Sequence, residues 1–111
     1  MNKITSYFAV SDGTVYNQSC YWRDEYEEQI RCWKSSYLAS DDVLDFDEVA
    51  SAEKQAFKAA IHGMNMWLKV RRVRFALQSE VKQDLIHFLK ASRTDFYKKL
   101  AARKAEQVLG Q

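Results

Sequence analysis

Cys20, Cys32, His62 and His87 are the only thiols and imidazoles in the chain. Their spacings match no zinc pattern, and two cysteines without a CxxC pair read as reduced thiols rather than as a disulfide. The run Asp41-Asp42-Val-Leu-Asp45-Phe-Asp47-Glu48 has the acid density of a calcium loop. It lacks the glycine at the sixth position and the distal glutamate that such a loop needs. Glu80-Val81-Lys82 sets a carboxylate and an amine two positions apart, as metal-dependent nucleases sometimes do, but residues this common meet by chance. Asn17-Gln18-Ser19 matches a glycosylation sequon, yet the first residues carry no secretory h-region or cleavage pattern. With glycine only at positions 13, 63 and 110, there is no glycine-rich loop to cradle a phosphate. No catalytic residue, metal or cofactor is therefore assigned. The expectation is a non-enzymatic binding protein.

Charge is the feature that speaks to partners. The formal net charge of +2 hides a polarity along the chain. Residues 1–63 carry eleven acids against six cations, a net of −5, while residues 64–111 carry eleven cations against Glu80, Asp84, Asp95 and Glu106, a net of +7. Such asymmetry concerns association rather than fold. The basic half supplies Lys69, Arg71, Arg72, Arg74, Lys90, Arg93, Lys98, Lys99, Arg103 and Lys104 as candidate contacts to nucleic acid or to a protein of nucleic-acid metabolism. Binding of this kind would be largely indifferent to base sequence and would weaken as salt rises. The alternative is a protein–protein inhibitor or modulator, of the size and charge of phage and plasmid accessory proteins. It would present Asp41, Asp42, Asp45, Asp47 and Glu48 to a basic surface on a host enzyme. A homodimer is compatible with either.

The elements that must position these residues are read from periodicity. The opening ITSYFAV-SDGT-VYNQSCYW reads as a β-hairpin turning at Asp12-Gly13, with Val10 opposite Val15 and Ile4 opposite Tyr21. From Trp22 the period becomes helical, with Trp22, Tyr26, Ile30, Trp33 and Tyr37 on one face and Asp24 and Glu27 resembling a capping box. After a loop at 39–47, a helix starting near Asp45 or Asp47 carries Phe46, Val49, Phe57, Ile61 and Met64 inward, with a break or kink expected at Gly63. Ser79 caps a helix over 80–91, and Ser92 to Asp95 caps another over 94–108, unless the two form one rod.

The stretch KVRRVRF, residues 69–75, admits two conformations. As a strand it needs a bulge at Arg71-Arg72 to keep its apolar residues on one face. As a helix, which the pattern favours, Met66, Val70, Val73 and Leu77 form a stripe continuing through Val81 and Leu85, and Trp67, Arg71 and Arg74 lie close enough to stack. The expected fold is thus α+β and mainly helical: an N-terminal β-hairpin followed by about four α-helices. It forms a single compact domain over 1–111, divided into hairpin (1–22), acidic helical half (23–63) and basic helical half (64–111). No apolar run is long enough to span a bilayer, so a cytoplasmic protein is expected.

Overall fold

The computed structural model describes residues 10–39 and 45–109, the side chains of 32–39 and 107–108 excepted. They form three helices, α1 (Asp12–Ala39), α2 (Phe46–Lys69) and α3 (Phe75–Leu109), and no strand is present among them. The helices run up, down and up as a rod with principal extents of 71 × 19 × 19 Å. Asp12 meets Arg74 at one end, and Ser92 reaches Glu27 farther along, so α1 and α3 run parallel with α2 antiparallel to both.

This overturns the α+β expectation. Asp12-Gly13 does not turn a hairpin but lies in the first turn of α1, so the supposed second strand is helix. Ser11 is the reason. Its hydroxyl accepts from the Thr14 amide (3.2 Å) and its carbonyl from the Val15 amide (3.2 Å), which makes SDGT a helix N-terminus with Asp12 placed to complement the dipole. The proposed first strand lies at residues 1–9, outside the described residues. Asp24 and Glu27 are mid-helix rather than a cap. Asp45 does cap α2, its carboxylate accepting from the amides of Asp47 (3.0 Å) and Glu48 (3.1 Å).

Two further corrections concern the basic half. The segment favoured as helix at 66–77 is broken: α2 ends at Lys69 and α3 begins at Phe75, with a tight link between. The phase of α2 explains the break. Its core line runs through Glu53, Phe57, Ala60, Met64 and Leu68, and one more turn would bring Arg71 into the centre of that line. Reversing the chain instead buries Val73 and Leu77 in the same core and leaves Val70 70% exposed. Gln78 holds the corner, donating from its side chain to the Val73 carbonyl (2.8 Å) and from its amide to that of Arg74 (2.9 Å). Beyond the link, the two helices expected over 80–91 and 94–108 are one rod. Ser79 and Ser92 lie within it, and Thr94 returns its hydroxyl to the Lys90 carbonyl (2.9 Å).

One core cluster runs through all three helices. α1 contributes Val15, Tyr26 and Ile30, with Trp22 packed against them; α2 contributes Val49, Phe57, Ala60, Met64 and Leu68; α3 contributes Leu77, Val81, Leu85, Leu89, Phe96 and Leu100. α2 runs unbroken through Gly63. The Trp22 ring lies directly on its backbone, in the space a β-carbon would need, so this glycine lets α1 and α2 approach closely.

Candidate functional site

Among the described residues two polar side chains are buried in the core, Ser19 and Glu53. Glu53 is only 2% exposed, and a bare carboxylate there would be costly. Arg93 of α3 answers it, Nε donating to both carboxylate oxygens at 2.5 and 3.1 Å. The guanidinium also stacks on Phe57, its Cζ 3.6 Å from the ring centroid, and Phe57 meets Tyr26 edge to face at 6.1 Å. Neither terminal nitrogen of Arg93 has a hydrogen-bond partner among the described residues.

Tyr26 completes this cluster with a buried hydroxyl that has no partner among the described residues. Burial, reinforced by the negative charge of Glu53 and partly offset by Arg93, holds its pKa far above the ordinary phenol value. Tyr97 is raised by the same causes. A folded pKa above the unfolded value stabilises the fold fully below about pH 10, and that contribution is lost as pH climbs beyond. Tyr26→Phe is expected to leave stability near neutral pH within about 1 kcal/mol of wild type, since the hydroxyl it removes is unpaired. Thermal melts of wild type between about pH 8 and about pH 11 should show an alkaline decline, and the variant should flatten it.

Arg93 lines an open groove of about 450 Å³ between α2 and α3, together with Lys54, Lys58, His62 and Asn65 over a floor of Phe57 and Ile61. No carboxylate lines it. Lys54, Lys58, Asn65 and Lys69 fall on one side of α2 at helical spacing, a row about 22 Å long that ends at the link. A second groove, between α1 and α3, has the opposite character. Asp24, Glu27, Glu28 and Asp95 line it, with Arg31 and Lys99 as its cations.

The ten cations proposed from the sequence separate into distinct places. Lys69, Arg71, Arg72 and Arg74 come together at the link and are exposed. There Arg71 lies over the Trp67 ring (4.5 Å) and Arg74 pairs with Asp12 (2.8 Å). Along α3 the others point around the whole helix rather than along one face. Arg93 serves Glu53, Lys99 pairs with Asp95 (2.9 Å), Arg103 with Glu106 (3.3 Å), and Lys104 lies 5.8 Å from the Phe46 centroid. Lys90 and Lys98 are exposed. Lys54 and Lys58 were not among the candidates, although their spacing of four residues, followed by Ile61 and Asn65, marks a shared face.

Of the acidic alternative, Asp41 and Asp42 lie outside the described residues, Asp45 is the α2 cap, and Asp47 and Glu48 occupy its first turn. Among the described residues no group of three or more His, Cys, Asp or Glu is placed to hold a metal ion, and no helix is long and apolar enough to cross a membrane. Comparison with protein-family models, curated proteins and solved structures gives no match.

Proposed function

We propose that this is a non-catalytic nucleic-acid-binding protein that holds a phosphate backbone along the α2–α3 groove and the adjoining link. The observation that carries this is the groove itself: Lys54, Lys58, His62, Asn65 and Arg93 converge on one cleft whose lining has no acid. Four acids, Asp24, Glu27, Glu28 and Asp95, line the α1–α3 groove instead. A cleft of one sign focuses the field and concentrates an anionic ligand. Arg93 suits the purpose, because Glu53 and Phe57 hold it in place while its terminal nitrogens keep their donors. Donors that read base edges in a particular order are not gathered here, so binding is to the backbone and tolerant of sequence.

Fluorescence anisotropy with labelled DNA at low and moderate salt tests this. The double variant Lys54→Glu/Lys58→Glu is expected to weaken binding about tenfold or more and to lower the salt slope by about 1.5, the share of two phosphate contacts. Lys98→Glu changes the net charge on a different face of α3 and should have little effect. Equal losses from both changes would mean a diffuse response to net charge, and the groove would not be the site.

A further inference from the structure

Phe75, the first residue of α3, is 82% exposed, far more than a phenylalanine needs to be in a bundle with a continuous core. Phe75 lies two positions before Leu77, the first buried residue of α3, and so on the opposite side of the helix from the core. It follows the link, where the α2 row of Lys54, Lys58, Asn65 and Lys69 ends. Phe75 therefore stands beside the cations of the link, past the end of that row. We infer that the ligand of this groove is single-stranded nucleic acid, with an unpaired base stacked on Phe75 while the backbone runs toward Arg93. The inference rests on the groove being a phosphate site, as proposed above.

Three features favour that occupant. Neighbouring helices pack with axes about 8–10 Å apart, so the furrow between them takes one strand's backbone, whereas a duplex would ride on its rims. Duplex bases are already stacked on one another, and only an unpaired base offers a free face to an exposed ring. Base–aromatic stacking next to a positively charged track is the common device for holding single strands without sequence preference. The same cations argue against a second copy of this chain as the cover for Phe75. Lys69, Arg71, Arg72 and Arg74 would face their own like charges across such a contact.

The test uses the full chain with a short labelled oligo(dT), a duplex of the same length, and poly-glutamate as a polyanion without bases. Wild type is expected to bind oligo(dT) most tightly. Phe75→Ala should weaken oligo(dT) about 5- to 100-fold, Phe75→Trp should restore it, and duplex binding should not respond to either. Circular dichroism of Phe75→Ala should match wild type, because the ring packs on little. Undiminished oligo(dT) binding by Phe75→Ala, a preference for duplex, or equal binding of poly-glutamate would each overturn the single-strand inference. None of these outcomes touches the groove proposal if Lys54→Glu/Lys58→Glu still weakens DNA binding. No effect of that double variant on either DNA would remove the groove proposal and this inference with it.

Discussion

Arg93→Leu is expected to destabilise the fold by about 3–5 kcal/mol, lowering the melting temperature by about 12–20 °C for a chain of this size. Glu53 would remain at 2% exposure with its charge and no cation to answer it. The reciprocal change is expected to be milder. The Arg93 side chain is 31% exposed, so after Glu53→Leu its guanidinium can turn toward water along the groove while its stem stays on Phe57. A cost of about 1–2 kcal/mol is expected there. The double variant Arg93→Leu/Glu53→Leu should recover most of what Arg93→Leu loses, because two apolar side chains leave no buried charge behind. Denaturant melts of the four proteins give the coupling. Equal losses from the two single variants would mean that Glu53 reaches solvent, contrary to its burial. Arg93→Leu also removes the central donor of the groove, so this residue links fold and proposed site: the ion pair that stabilises the bundle fixes the guanidinium where an anion can meet it.

The helical part of the fold was legible wherever apolar residues kept one phase. α2 is the clear case: Asp45 caps it, and Phe46, Val49, Phe57 and Met64 mark its buried or half-buried face. The first helix was misread because two local signals agreed on a hairpin. Asp12-Gly13 favours a tight turn, and Val15, Tyr16, Tyr21 and Trp22 favour strand, but Ser11 acts as a cap. Ser19 also hid the stripe, a small polar residue standing in the core line between Val15 and Trp22. The link was misread for a different reason. The core positions leading into α3 repeat every four residues, from Val73 in the link through Leu89, and each step overshoots a helical turn by about 40°. Extending that drifting stripe backward through Val70 to Met66 gave a continuous helix, although Met66 lies off the core line of α2 and is 45% exposed.

The candidate site was legible in its charge but not in its location. Dividing the chain at residue 63 put Lys54 and Lys58 into an acidic half, where their own spacing had no weight. Antiparallel packing then set α2 beside α3, so Lys54 and Lys58 share one cleft with Arg93, far from them in sequence. Lys99 and Arg103 instead pair within their own helix, with Asp95 and Glu106 at spacings of four and three. A linear count of cations cannot distinguish these outcomes, because the phase of each helix decides which way a lysine points.

Trp22→Ala is expected to cost about 3–4 kcal/mol, since it removes a large ring from the α1–α2 contact. The informative experiment pairs it with Gly63→Ala. In the wild-type background the new methyl has no room beneath the Trp22 ring, and prying the two helices apart should cost about 1–3 kcal/mol. That exceeds the gain of about 1 kcal/mol from replacing a mid-helix glycine with alanine. In the Trp22→Ala background the obstruction is gone, and the same Gly63→Ala change should stabilise by up to about 1 kcal/mol. The sign of the substitution therefore depends on one ring, and thermal melts of the four proteins read it directly. A stabilising Gly63→Ala in the presence of Trp22 would mean that the ring does not lie on this backbone and that the registry of α1 against α2 is different. Residues on either side of the contact support the registry described. Ser19 and Tyr26, one turn to each side of Trp22, are both buried against the same core as Ala60 and Met64, which flank Gly63. A slip of α1 by one residue would carry Cys20 and Glu27 into those places and leave a thiol and a carboxylate where the core now holds Ser19 and Tyr26.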